Sequence, residues 1–298
     1  TKIVLPLLAM FILIGCSDKS SDITQNVGKK KTRSLLNESS LSEDFGNLHN
    51  QGVLEFCSYV EEQGIHPFDE GVFTDVLISN FVDEFVEQNL ILENYEDILV
   101  DEVIVEENKL YDYKSQIFQL FDSNMSVEEV NLEIDILLRN YTEDESTQAG
   151  ELPIIVAITG IAKATNTLWR QEWNPTYHPF IPDDLQYTAA DTTISTDQEE
   201  EDLKELAIAD ISGAIEGALE GIWRGPREAL KGALKKATQR SLEALIRKEI
   251  DGVAIAMRES DVTGIHRESY FFKYIERLRN SNIEEYETKY GDKFDSIL

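Results

Sequence analysis

Cysteine is scarce in this chain, two in 298 residues at Cys16 and Cys57, which excludes a scaffold stapled by several disulfides. Basic residues are few as well, 27 against 57 acids, for a formal charge of −30. A chain so charged repels phosphate backbones, and no basic-aromatic interleaving offsets the repulsion, so no nucleic-acid partner is expected. There is no phosphate loop, dinucleotide fingerprint, nucleophile elbow or HExxH, so no enzyme class is indicated and no cofactor is expected. What is present is a 42% hydrophobic composition, enough over this length to bury one large core or two smaller ones.

The opening run IVLPLLAMFILIGC holds Ile3 to Ile14 without a charge. That length suits the apolar region of a signal peptide and falls short of the ~20 residues of a spanning helix. Lys2 fits the end of a basic leader, and Leu13-Ile14-Gly15-Cys16 resembles a bacterial lipobox. The expectation is a signal peptide over 1–15 and an acylated Cys16 as the mature N-terminus, where two or more acyl chains make a stable membrane anchor. Ser17 in place of Asp after the cysteine favours the outer membrane. Cys57 is then the single remaining thiol, and its apolar neighbours in VLEFCSYV suit a buried structural role.

Residues 16–47 are rich in Ser, Asn, Asp and Lys, including Lys29-Lys30-Lys31, and read as a flexible tether that lifts a domain off the membrane. From Leu48 onward the periodicity is helical. Val53, Phe56, Cys57 and Val60 fall at i, i+3, i+4, i+7. Ser126 with Glu129 forms a capping box ahead of Val130, Ile134, Leu137 and Leu138. Pro153 suits the first turn of a helix reaching Trp173. The β-branched stretch Ile98–Asn108 fits strand or helix, and with no hairpin signal beside it helix is the reading. Three of seven prolines fall between Asn174 and Thr196, marking an irregular aromatic-rich segment. A helix from Thr196 to Gly225, a second from Pro226 to about Arg258 and a third over His266–Asn280 complete the pattern. The organisation expected is thus an acidic helical domain over 48–173, a Pro/aromatic loop over 174–197, and the remaining helices over 198–298. The fold class is mainly α, an irregular bundle of about seven to nine helices.

Gly213, Gly217, Gly221 and Gly225 recur every four residues. Each glycine costs about 1 kcal/mol against alanine in a helix interior, so the ladder marks a face that another helix approaches closely. The sharper alternative is a membrane-inserting hairpin, against which stand Glu216, Glu220 and Arg224 on the same helix. Charge is also segregated. Glu55–Glu145 carries 25 acids against Lys109, Lys114 and Arg139, whereas Arg224–Lys248 carries eight bases against Glu228 and Glu243. Docking of the basic helix onto the acidic half is the simplest account, with anionic lipid or an acidic partner as the alternative.

Two of the four histidines sit in a repeated tripeptide, His66-Pro67-Phe68 and His178-Pro179-Phe180, each with acids close behind. Brought together they offer imidazole and carboxylate ligands for a divalent metal, although the spacing matches no ligand motif and suits helix-connecting turns equally. His49 and His266 lack a nucleophile or acid at diagnostic spacing and read as capping or surface residues. Trp169 and Trp173, one helical turn apart, read as helix-end packing rather than a ligand platform.

Three features taken together, the lipobox start, LHNQGVLEF after a polar stretch, and ADISGAIEGALEGIWRGP after a Trp-rich helix end, resemble a family of predicted lipoproteins from Bacteroidota. The resemblance spans Cys16 to about Pro226 and brings no activity with it. The expected function is that of a non-enzymatic bacterial cell-envelope lipoprotein, held to the membrane through Cys16 and presenting a helical surface to an envelope protein. A membrane-active or immunity-type protein using the glycine ladder is the alternative, and a metal-dependent enzyme around His66 and His178 a more distant one.

Overall fold

The computed structural model describes residues 24–64, 74–99, 107–144, 150–174, 177, 179–180 and 196–259. Helix makes up 86% of them and no strand occurs among them, so the fold is a mainly α, multi-helix bundle. Seven α-helices follow in order among the described residues: α1 (Thr24–Gln63), α2 (Thr74–Asn89), α3 (Glu107–Phe121), α4 (Val127–Glu143), α5 (Leu152–Thr167), α6 (Thr196–Ile222) and α7 (Pro226–Glu259). A 3-10 turn, Leu92–Tyr95, follows α2, and a π-helical turn, Leu168–Glu172, prolongs α5. The signal segment, Cys16, most of Ile98–Asn108 and the helix expected over His266–Asn280 lie outside the described residues.

The bundle is built around α5. Its residues from Pro153 to Ala162 are all buried, and each fully buried Ile or Val there contributes roughly 1.5–3 kcal/mol. By length and composition Leu152–Glu172 could cross a membrane, but most of it is buried inside the protein, as in the central helix of a bundle. Pro153 occupies its first turn, where the missing N–H leaves no hydrogen bond unmade. At the other end the π turn closes with Trp173 N–H donating to Leu168 O at 2.6 Å.

Partners wrap this axis with legible registers. Ser42 lies against Gly160, and Asn50 donates to Ala164 O at 3.1 Å, so α1 runs parallel to α5. Lys163 meets Asp135 at 2.7 Å and Asn131 donates to Thr167 at 3.2 Å, so α4 runs antiparallel to it. The capping box starts α4 as its sequence predicts, Glu129 N–H donating to Ser126 Oγ and Ser126 N–H to the Glu129 carboxylate. Val130, Ile134 and Leu137 turn inward from it.

The tether expectation fails from Thr24 onward, where α1 is already continuous helix. Its apolar residues are sparse but correctly spaced: Leu41 and Phe45 are fully buried, with Leu48 packed beside them. Between them Ser42 and Gly46 are small enough for α5 to approach. A Cβ on Gly160 would come within 1.8 Å of Ser42 O, so the α1–α5 contact is backbone on backbone. Composition registers polarity, and here two well-placed apolar residues and a small face outweigh it.

The acidic and basic regions do dock within the chain. Lys231 reaches Glu87 at 3.3 Å, Lys235 reaches Asp83 at 3.0 Å, and Arg227 reaches Glu96 at 3.0 Å, which sets α7 antiparallel to α2. Lys231 and then Lys235 hold the Glu87 carboxyl below the usual carboxylate range. These pairs are solvent-exposed and individually weak. Beneath them Ile78, Val82, Phe85 and Val86 of α2 are buried, so apolar packing and not charge holds the halves together. One cluster of buried residues runs from Leu41 to Ile246, so both helical halves share a core.

Candidate functional site: a buried polar knot beside a glycine ladder

Along α1, Phe45, His49, Val53 and Phe56 follow one face; along α6, Leu206, Asp210 and Ala214 do the same. His49 and Asp210 are therefore polar residues written into apolar stripes, and both are fully buried. They face each other, His49 Nε2 lying 3.5 Å from Asp210 Oδ2. The same carboxylate oxygen accepts the indole N–H of Trp169 at 2.8 Å and the hydroxyl of Thr165. Thr165 donates from α5 itself and Trp169 from the π turn that prolongs it. Ser241 of α7, also fully buried, lies beside the carboxylate and lowers its pKa, although neither Ser241 Oγ nor Asp210 Oδ1 reaches hydrogen-bond geometry.

The far side of the imidazole is fixed as well. Asn50 donates its amide N–H to Ala164 O, which turns its oxygen toward His49 Nδ1 at 3.0 Å; Nδ1 is then the donor of that bond. With Nδ1–H so committed, Nε2 faces the Asp210 carboxylate without a hydrogen bond of its own. Burial pushes the Asp210 carboxyl upward, and His49, Thr165, Trp169 and Ser241 pull it back.

This arrangement has the residue types of an acid–base centre without its access. A general base must come within hydrogen-bond reach of a substrate proton, whereas His49, Asp210, Thr165 and Trp169 are all shut away from solvent. What it can do is join α1, α5 and α6 at a single point, with Ser241 of α7 packed beside it, and separating the partners would leave buried polar groups unpaired. The surface or capping role expected of His49 is therefore overturned. Spacing along the chain did not reveal this role, because Asp210 comes from another helix and is held in place by Thr165 and Trp169.

The glycine ladder lies along the same hairpin. A Cβ on Gly213 would meet Lys236 O at 2.5 Å, on Gly217 would meet Gly232 O at 1.9 Å, and on Gly221 would meet Glu228 O at 2.2 Å. Each step of four residues forward on α6 matches four backward on α7, so the helices are antiparallel with backbones touching. Gly232 faces Gly217 reciprocally, and a Cβ on it would come within 2.1 Å of Gly217 O. The fourth member, Gly225, does not pack. It has open space around it and a φ of 107°, and it forms the turn between the helices, where a Cβ would be strained. Gly46 and Gly160 form a second close contact that the four-residue repeat did not reveal.

A second buried acid closes the opposite end of the hairpin. The backbone N–H of Phe180 donates to Glu249 at 3.0 Å, and the Phe180 ring packs 6.0 Å from that of Phe56, pinning the Pro/aromatic loop to α1 and α7. Burial pushes Glu249 well above the usual carboxylate range. The Cys57 thiol is buried and pushed up by that burial and by Glu249, which suits an inert core thiol. Trp169, Trp173 and Tyr177 pack in sequence as tilted ring pairs, centroids 4.8 and 5.4 Å apart, so the tryptophans pack a helix end. His66 and His178 lie outside the described residues, and among the described residues no three His, Cys, Asp or Glu converge as metal ligands. Compared with known proteins, the chain matches no protein-family model, no curated protein and no solved structure.

Proposed function

We propose that this chain is a bacterial cell-envelope lipoprotein, anchored through acylated Cys16 and acting as a binding module for an envelope partner. The observation that carries the non-catalytic part is the burial of the polar knot. The acid, imidazole and threonine hydroxyl that the fold brings together are spent on joining α1, α5 and α6, out of reach of a substrate. The anchor rests on the Leu13–Cys16 sequence and on the resemblance to Bacteroidota lipoproteins. Seven residues, Ser17 to Ile23, separate Cys16 from the start of α1, so the anchor is a short one and the bundle stays close to its membrane.

Membrane insertion by the glycine ladder is the weaker reading. Gly213, Gly217 and Gly221 are already covered by the α7 backbone, and exposing them would break the knot as well. The test is detergent phase partitioning with palmitate labelling in the source cells, followed by crosslinking of the native protein. Wild-type protein should carry label and enter the detergent phase, Cys16→Ser should do neither, and crosslinking should give one dominant envelope partner. Wild-type protein without label would refute the anchor, and self-crosslinks alone would refute the binding module.

A further inference from the structure

The α6–α7 turn carries the most exposed large apolar side chain among the described residues. Trp223 is 83% exposed, on a hairpin whose backbones touch three times along the ladder and whose turn is fixed by Gly225. It is rigidly held and uncovered. Its neighbour Arg224 is exposed and makes no ion pair with any described residue, in a chain where Arg227, Lys231, Lys235, Lys236, Arg240 and Lys248 are all paired. Two more exposed apolar residues share this end of the bundle. Ile91, 56% exposed, precedes the 3-10 turn beside which Arg227 meets Glu96, and Tyr111, 51% exposed, lies two residues beyond Lys109, which pairs with Glu151 at the start of α5.

The start of α1 points the same way. Trp223 lies thirteen residues beyond Asp210 on α6, about 20 Å along the axis. Gly52 faces Phe85 and Phe56 faces Phe81, so α1 runs opposite to α2 and therefore opposite to α6; the same rise back from His49 reaches residue 36, and the helix continues past that level to Thr24, about 18 Å further. The chain outside the described structure, with Cys16 seven residues away, therefore leaves from the end that exposes Trp223. Residues 24–37 carry Lys29, Lys30, Lys31 and Arg33 and no acid, against Asp18 and Asp22 just before them, whereas the rest of a −30 chain is repelled by anionic lipid.

We infer that the Trp223–Arg224 turn, with Ile91 and Tyr111 beside it, rests in the headgroup layer of the membrane to which Cys16 is anchored. The inference rests on the lipoprotein reading and deepens it by naming the face turned to the bilayer. Trp and Tyr favour that layer, where an apolar ring and a polar edge are both satisfied, and an arginine beside them extends to phosphate. With the anchor holding the chain at the surface, a small apolar contact suffices, since the second contact is intramolecular. Contact by both the leading turns of α1 and the hairpin tip sets the bundle obliquely on the surface.

The test uses full-length acylated protein reconstituted into vesicles of phosphatidylethanolamine and phosphatidylglycerol, with lipids brominated along the acyl chain as quenchers. Trp169 is buried and Trp173 half-buried, so the difference between wild type and Trp223→Phe isolates the emission of Trp223. That difference should be blue-shifted, should lose about half its intensity to brominated lipid, and should be about twofold less sensitive to aqueous acrylamide than in detergent-free protein lacking the acyl chain. Arg224→Glu should weaken all three effects without changing the helical circular dichroism. Emission from Trp223 that stays red and open to acrylamide in vesicles overturns the inference, including the case where a protein partner covers it instead. The mass of the N-terminal peptide separates the two readings: an acylated Cys16 with an aqueous Trp223 refutes only the docked tip, and an unmodified Cys16 refutes both.

Discussion

Replacing Gly217 by alanine is the sharpest perturbation of this fold, because helix propensity and packing predict opposite signs. In an ordinary helix interior the change stabilises by about 1 kcal/mol. Here the new Cβ would lie 1.9 Å from Gly232 O, and it must retreat by roughly 1.5 Å to reach an ordinary contact of about 3.5 Å. The wall is backbone, which cannot rotate aside, so α6 and α7 must part along the ladder. Overpacking of this kind costs about 1–3 kcal/mol, and a rigid wall sets it at the upper end. After the propensity gain the net loss is about 2 kcal/mol, a fall in Tm of about 4–8 °C for a chain of this size. Thermal denaturation followed by circular dichroism measures it. The series adds a ranking: Gly217→Ala should cost more than Gly221→Ala, whose contact is 2.2 Å, and that more than Gly213→Ala, whose contact is 2.5 Å and whose next neighbour is the flexible Arg240 side chain. Adding Gly232→Ala to Gly217→Ala should cost less than the two singly, since the first substitution has already separated the pair. A Gly217→Ala protein that melts at or above wild type would refute the close-packed hairpin.

The polar knot and the second buried acid give two more tests. Asp210→Asn keeps an oxygen for Trp169 and Thr165 but puts an amide where the carboxyl group faces His49, and should cost about 1–3 kcal/mol in urea denaturation; a variant as stable as wild type would reduce the knot to packing. Glu249 has its pKa raised in the folded state, so its contribution to stability is present below the unfolded value of about 4.3 and is lost as pH rises through the folded value. Glu249→Gln retains an acceptor for Phe180 N–H without the buried charge. It should be more stable than wild type at pH 8, with the difference shrinking as pH falls toward 4, and equal stabilities across that range would contradict the burial of a charged group.

Much of the fold is legible along the chain because it depends on local spacing. The Ser126–Glu129 capping box, Pro153 and Pro226 in first turns, and the inward face of α4 all appear where their residues predict them. Gly213, Gly217 and Gly221 announce a close approach because glycine in a helix interior has a cost that only packing offsets. The acidic and basic regions announce their docking through charge alone, though the structure shows apolar α2 residues carrying that contact. The 24–47 stretch misleads because composition averages over positions, and Leu41 and Phe45 matter through position.

What the sequence determined by itself is everything with a period or a local rule: helices, caps, the ladder and the charge segregation. What only the tertiary structure decided is which distant residues meet. His49 and Asp210 are 161 positions apart, and neither carries a local mark of the other beyond being a polar residue in an apolar stripe. Gly225 shares the ladder's spacing yet serves the turn, because whether a glycine packs or bends depends on the helix opposite. Pairing across helices is set by the register of backbones in contact, a property of the assembled bundle that no single segment contains.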